Sequence, residues 1–311
     1  MKIALKGQGA GWVIDSIVND YKKYSRHEIV RLNKNPDVFW CVNLFSFPSL
    51  IDSVPKGCVP IVHVHHISED QLEAYNFKAF NRGYACIVYN KKVEKAALKY
   101  LSIPVHVLPY WVLSGTFKPK NEEVIFKLKQ EIAQNDEMLI GSFVKDGNGQ
   151  KGATPKTSKN PDMFIDILNK LRESIKIKVI LAGYARQYMV NALTKLKIPF
   201  VYKERYGDIQ TLYDCLDWYF VTSRYEGGPQ SILEASYRKV NILSTDVGVA
   251  SEILHPDCIC SSVGDFVNRV EQKVNRTDYN YNNIIKNHMP TDIIPKWDDF
   301  FEDCYKRWSR E

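Results

Sequence analysis

The sequence predicts an α/β protein built from two doubly wound parallel-sheet domains in series, and three observations carry that prediction. Its 311 residues, 45% hydrophobic and 25% charged, suffice for two domains with a core each. Apolar strand-like runs alternate with amphipathic helix-like ones, the order that βαβ units produce. The alternation breaks once, at Tyr110-Trp-Val-Leu-Ser-Gly-Thr-Phe-Lys-Pro119, and then restarts, so a boundary is expected near residues 110–120.

In the first series, strands are expected at residues 2–5, 38–42, 60–65, 86–89 and 105–108, with a helix from about Trp12 to Tyr24. A helix near residues 122–134 opens the second series, ahead of expected strands at 138–144, 178–182, 199–202, 218–222 and 240–244. Between the first two of these, Met163, Phe164, Ile167, Leu168 and Leu171 follow the helical period. Residues 145–160, rich in Gly, Lys, Ser and Thr, read as a long loop, a length that is usually functional or mobile. The last segment carries Ile294, Trp297, Phe300, Phe301, Tyr305 and Trp308, an apolar face too large for a solvated tail, and is expected to pack on the first domain. The expected division is therefore 1–112, 113–291 and a returning helix at 292–311.

The composition narrows the function classes. Seven cysteines without a CxxC pair argue against a disulfide framework, and Cys258 and Cys260 are too close to form a metal knuckle by themselves. No apolar stretch approaches the roughly 20 residues of a membrane-spanning helix. The N-terminus reads as a first strand, not a signal peptide, and a cytoplasmic protein is expected, with peripheral contact at a membrane surface as a further possibility. A formal charge of +6 suits a polyanionic small ligand or an acidic membrane surface about as well as weak nucleic-acid binding; no nucleic-acid partner is expected.

The most informative segment is Thr222-Ser-Arg-Tyr-Glu-Gly-Gly-Pro-Gln-Ser-Ile-Leu-Glu-Ala235. It follows a strand, turns through Gly227 and Gly228, passes Pro229, and opens a helix near Gln230 or Ser231. Backbone amides and the positive dipole end at such a helix start form a phosphate site. Glu226 precedes the turn and Glu234 lies about one turn into the helix, so their carboxylates can reach hydroxyls on either side of a bound diphosphate. The alternative is a pair of glutamates that merely flank a helix start.

The spacing of Glu226 and Glu234 around Gly-Gly-Pro-Gln-Ser resembles the E-x7-E motif of glycosyltransferase family 4. The resemblance runs from Ile140 to about Leu254 and includes Leu212-Tyr213 through Asp217 and Thr245-Asp-Val-Gly248. It implies the GT-B architecture, two Rossmann-like domains with a donor cleft between them and a C-terminal helix returning to the first. It also implies retaining transfer from a UDP- or GDP-sugar to a glycan, lipid-linked or protein-linked acceptor. Lys145 and Lys159 are similar to the family's two basic positions that neutralise the diphosphate. Many members have arginine at the first, so Lys145 departs from the pattern and loses the bidentate fork. Lys151 and Lys156 share the loop and compete for the role, against the alternative of a solvated basic loop. Base-binding candidates are Tyr184, Arg186, Lys203, Glu204 and Arg205, of which Arg205 is assigned to the donor site.

In the first domain, Ile61-Val-His-Val-His-His66 ends an expected strand, and alternation puts His63 and His65 on one face. One histidine is then core and the other stands at the carboxyl end, where ligands bind in open α/β sheets. His65 is assigned to the cleft, with His66 as the alternative; by resemblance a histidine here contacts the transferred sugar or its leaving oxygens. Three close histidines on a strand do not converge on one ion, and there is no Asp-x-Asp pair, so neither metal nor other cofactor is expected. Gly7-Gln-Gly9-Ala-Gly11-Trp12 lacks the G-x-G-x-x-G spacing. By resemblance Gly9 and Gly11 face the donor phosphate and acceptor, although a tight turn also needs glycine. Competing functions are a nucleotide-sugar epimerase using carboxylates such as Asp15 or Asp70, a non-catalytic nucleotide-sugar or glycan-binding protein, and a nicotinamide oxidoreductase.

Overall fold

A computed structural model describes all residues except Ala10, Trp12, Gln134, Asn135, Gln150 and Glu311. The expected helix ends at Trp12 and Gln134 fall outside the described residues, as does the side chain of Asp70. Two compact units are present: Met1–Ser114 together with Asn287–Glu311, and Gly115–Lys286. No helix among the described residues is long and apolar enough to cross a membrane.

The first unit holds β1 (Lys2–Lys6), β2 (Glu28–Val30), β3 (Val38–Cys41), β4 (Val59–His63), β5 (Ala85–Val88) and β6 (Val105–Val107). All pair in parallel, in the order β2-β1-β3-β4-β5-β6. Every residue of β3, β4 and β5 is buried, as central strands covered on both faces require. The edge strand β2 was not foreseen, because three residues with Glu28 exposed leave no apolar run. The expected strand to His65 is corrected: β4 ends at His63, and His65 lies beyond it.

The helix Pro290–Trp308 packs on this sheet; of the positions expected to form its apolar face, Ile294, Trp297 and Phe301 are buried, and Phe300, Tyr305 and Trp308 are only partly buried. Trp297 meets Trp40 at 4.9 Å between ring centroids, and Phe301 meets Tyr21 at 5.8 Å. The indole N–H of Trp297 donates to the Pro109 carbonyl at 2.9 Å, which satisfies the polar atom of a wholly buried ring. Asp298, on the same face, accepts from the Tyr21 hydroxyl (2.6 Å), the Ser25 hydroxyl (2.7 Å) and the Arg26 amide (3.0 Å). A buried carboxylate is tolerable only with such partners.

The second unit contains β7 (Met138–Ser142), β8 (Gly147–Asn148), β9 (Thr154–Pro155), β10 (Ile177–Ala182), β11 (Phe200–Lys203), β12 (Trp218–Val221) and β13 (Asn241–Ser244). Its main sheet is parallel, in the order β11-β10-β7-β12-β13. The helix Pro161–Leu171 buries Phe164, Ile167, Leu168 and Leu171, four of the five positions read from the helical period. Residues 145–160 are not the plain loop expected. They fold as the two-stranded hairpin β8–β9 followed by a 3-10 turn, Thr157–Lys159.

Two outcomes test this packing. Asp298→Ala strands three donors at once and is expected to lower the unfolding free energy by about 2–4 kcal/mol in a urea titration, with Asp298→Asn losing less; an unchanged midpoint would contradict the assignment. His63 is fully buried against Trp40, Tyr89 and His65, and burial holds its imidazole well below the ordinary 6.5. Burial also lowers His65, to about 4. Below 6.5 the unfolded chain therefore binds protons that the folded chain refuses, and stability falls as pH drops towards that lower value. His63→Phe fills the ring space without a titrating group and is expected to flatten the fall in melting temperature with acid; an undiminished slope would refute the cause given.

Candidate functional site

In the second unit the chain builds β7, β10 and β11 outward in one direction, then returns to the other side of β7 for β12 and β13. The carboxyl ends of β7 and β12 thus flank a topological switch point, where an open parallel sheet leaves a crevice for ligands. The segments that leave these two strands are those that carry Lys145 to Lys159 and Glu226 to Glu234.

Backbone bonds fasten the two segments together. The Ser158 carbonyl accepts from the Arg224 amide (2.8 Å) and the Tyr225 amide (3.3 Å), and the Thr222 hydroxyl donates to the Lys159 carbonyl at 3.3 Å. Asn160, left-handed at φ 49°, turns the chain into the helix that starts at Pro161, and its side-chain oxygen accepts from Arg224 at 3.1 Å. Lys159 is thereby set in an ion pair with Glu226, their side chains only 17% and 11% exposed. The Ser223 hydroxyl donates to the same carboxylate at 3.0 Å. From the other side, the Thr245 hydroxyl donates to the Ser223 carbonyl at 2.6 Å. A Cβ at Gly248 would stand 2.5 Å from the Gly227 carbonyl, so the loop after β13 closes directly onto the glycine turn.

Lys156 belongs with this pair. Its ammonium is shifted down by burial and by the neighbouring charge of Lys159, held up by Glu226, and lowered again by Lys145. Lys159, Glu226 and Lys145 therefore all act on Lys156, with Lys145 exposed and the other two lysines partly buried. By sequence Lys156 is only a competitor for the role of Lys145 and Lys159. The spacing Lys156 to Lys159 across a 3-10 turn, which sets residues three apart on one side, was the signal that could have raised it. Lys151 is exposed in the β8–β9 connection.

The helix Gln230–Tyr237 starts directly after Pro229, without a side-chain cap. The Ile232 amide donates to the Pro229 carbonyl at 2.9 Å, and the helix start carries the positive end of the dipole. Glu234 lies one turn in and accepts from the Tyr213 hydroxyl at 3.0 Å, beside the contacting rings of Tyr213, Phe143 and Tyr219. Burial pushes its carboxyl up, partly offset by the Tyr213 bond. Such a carboxylate suits further hydroxyl donors.

Arg205 is exposed, with its guanidinium 5.7 Å from the Tyr184 ring centroid, at the carboxyl ends of β10 and β11. Arg186 is corrected. It is wholly buried, bonded to Asp146 (2.9 Å) and to the carbonyls of Ser142 (2.7 Å) and Ala182 (2.9 Å), and it ties the ends of β7 and β10 together instead of facing a base.

The remaining assignments lie in the first unit. The His65 Nε2 is 2.8 Å from the Val42 carbonyl, an oxygen that can only accept, so Nε2 carries the proton. At neutral pH the ring is uncharged, because burial lowers its pKa to about 4. Gly9 and Gly11 take φ of 75° and 71°. The amides of Gln8, Gly9 and Gly11 each donate to the Asp15 carboxylate at 2.8 Å. That carboxylate already occupies the anion-binding turn, so these glycines serve the loop's own shape, and Asp15 is poorly placed as the mobile base an epimerase needs.

Residues 153–272 match the family model of glycosyl transferases group 1. None of the curated proteins compared with the chain matches it. Among solved structures, Anabaena HepE in complex with UDP superposes with a TM-score of 0.75 at 13% identity, over 97% of this chain and 99% of that one. A glycosyltransferase from Rickettsia africae gives 0.70 at 13% identity, over 98% of each chain. TarM of S. aureus gives 0.65 at 16% identity, over 85% of this chain and 55% of its own. The chain is therefore similar, over the segment that holds Lys156, Lys159, Glu226 and Glu234, to glycosyl transferases group 1, and its two Rossmann-like units have the GT-B fold.

Proposed function

We propose that the protein is a retaining glycosyltransferase of the family 4 type, which moves a sugar from a UDP- or GDP-sugar to a hydroxyl of a glycan or glycoconjugate without a bound metal ion. The observation that carries this reading is the cluster of Lys145, Lys156 and Lys159 around Glu226 at the switch point, with Glu234 one helical turn beyond. Asp146, also in the field of Lys159, is already paired with Arg186, so three lysines beside Glu226 leave a surplus of positive charge, which matches a nucleoside diphosphate. Support for uridine as the base comes from HepE, whose structures hold UDP and UDP-glucose.

In this mechanism the lysines and the first amides of the helix Gln230–Tyr237 stabilise the departing diphosphate, where negative charge grows. The anomeric carbon becomes oxocarbenium-like, and the acceptor hydroxyl attacks on the face the diphosphate leaves. A donor phosphate oxygen takes the acceptor proton, so no separate base is required. Glu226 accepts hydroxyls of the transferred sugar, and its pairing with Lys159 aligns sugar and diphosphate through one contact. Glu234 accepts hydroxyls of the ribose. Neutral His65 offers Nδ1 as an acceptor, with Nε2 committed to Val42.

Transfer and donor hydrolysis, followed with radiolabelled UDP- and GDP-sugars in EDTA, test this reading. Glu226→Ala is expected to reduce turnover at least 100-fold with nucleotide affinity within about threefold of wild type, the pattern of a contact made to the reacting sugar. Glu234→Gln is expected to weaken the nucleotide itself. Because burial raises the Glu234 carboxyl, it protonates at a higher pH than an ordinary glutamate. Nucleotide affinity should therefore fall on acidification in wild type, and less so in Glu234→Gln. Full activity in both variants would overturn the site.

A further inference from the structure

We infer that Arg186 is a positioning residue for the cations of the donor site: with the two residues that follow it, it fixes the segment 146–162 so that Lys156 and Lys159 meet a diphosphate without rearrangement; the inference rests on the glycosyltransferase reading above. The chain leaves β10 through Gly183 and Ala185, both left-handed at φ 98° and 58°, and enters the helix Gln187–Leu196 with no side-chain cap. The first amides of a helix have no partner within it. Here the hairpin supplies partners: the Gln187 amide donates to the Lys151 carbonyl (3.2 Å) and the Tyr188 amide to the Gly152 carbonyl (2.7 Å), both in the β8–β9 connection.

Side chains hold the two ends of the same segment. At one end Arg186 meets both oxygens of Asp146 at 2.9 Å, and the Asp146 carbonyl accepts from the Lys156 amide at 2.8 Å. At the other end the Tyr188 hydroxyl donates to the carboxylate of Asp162 at 2.5 Å, in the first turn of the helix Pro161–Leu171. Arg186, Gln187 and Tyr188 thus hold the chain at Asp146, Lys151, Gly152 and Asp162, with Lys156 and Lys159 between these points and Lys145 beside the first. The approach is backbone to backbone. A Cβ on Gly152 would stand 2.0 Å from the Ala185 carbonyl oxygen, and one on Gly147 would stand 2.5 Å from it. Ala185 itself keeps a conformation unfavourable for a residue with a side chain, which persists only where the surroundings over-determine it.

The hairpin cannot hold the lysines by itself. Its strands are two residues each, and an isolated two-stranded hairpin is marginal in water. The lysines also oppose their own clustering: beyond burial, the charges of Lys159 and Lys145 both lower the Lys156 ammonium, and such repulsion opens the segment unless something restrains it. Arg186 brings that restraint from the sheet. Besides Asp146, its fork reaches the carbonyls of Ser142 (2.7 Å) and Ala182 (2.9 Å), the last residues of β7 and β10. One planar guanidinium spans all three, a geometry that a lysine ammonium does not offer. A buried pair of this kind often stabilises a fold no more than apolar residues of similar volume, so its contribution lies in the geometry it imposes on the lysines.

The test is calorimetric titration of UDP and of GDP into the full chain in EDTA, at low and at high salt, with a thermal melt to check folding. It compares wild type, Asp146→Leu combined with Arg186→Met, and Gly152→Ala. The double variant replaces the pair by apolar side chains of similar volume, whereas Gly152→Ala keeps the pair and pushes the hairpin off Ala185. The nucleotide that binds wild type is expected to bind both variants about tenfold more weakly at low salt and within about threefold of wild type at high salt, where the lysines are screened in all three. Wild-type affinity at low salt in either folded variant would overturn the inference. So would a loss of the same size at both salts, the result of a merely structural defect, or failure of both variants to fold. Binding of neither nucleotide to folded wild type would instead bring down the glycosyltransferase reading, and this inference with it.

Discussion

A parallel sheet whose strand order reverses has one place where neighbouring strands send their loops apart, and in the second unit that place lies between β7 and β12. The site depends on this constraint. Lys159 and Glu226 stand 67 residues apart in the chain and share no secondary-structure element, yet both leave from the two strands that flank the reversal. The Ser158 carbonyl, accepting from Arg224 and Tyr225, converts that proximity into a fixed geometry. Arg186 acts further back, at the ends of β7 and β10, where loss of one partner of a buried pair typically costs about 3–5 kcal/mol.

Electrostatics then divides the labour between the units. In the second, cations outnumber carboxylates at the crevice, and the start of the helix Gln230–Tyr237 adds the positive end of its dipole. In the first, the amides of Gln8, Gly9 and Gly11 donate to Asp15, and His65, held at the Val42 carbonyl, is neutral.

Much of this was legible in the sequence, for physical reasons. Central parallel strands such as Trp218–Val221 are buried on both faces and read as unbroken apolar runs, so the fold class followed from their spacing. The glycine turn, its two glutamates and the helix start are local and could be read directly. What was hidden depended on partners that the local residue pattern does not show. Arg186 looked like a loop charge because Asp146, its counterion, is buried only after the hairpin β8–β9 folds. Gly9 and Gly11 looked open to a ligand because nothing local shows that Asp15 turns back to their amides. Strand alternation was carried to His65 because burial and pairing run past the strand's last residue: Val64 is buried and its amide donates to the Ile87 carbonyl (3.0 Å), although β4 stops at His63.

The central claim is that positive charge from lysines, and not from a metal ion, holds a nucleoside diphosphate at the second unit's crevice. Calorimetric titration of UDP and of GDP into the wild-type chain in EDTA, at low and at high salt, tests it most directly. The account predicts that one nucleotide binds in EDTA, and that its affinity falls as salt screens the lysine cluster. Binding that appears only when magnesium or manganese is added, or no binding of either nucleotide to folded protein, would contradict it.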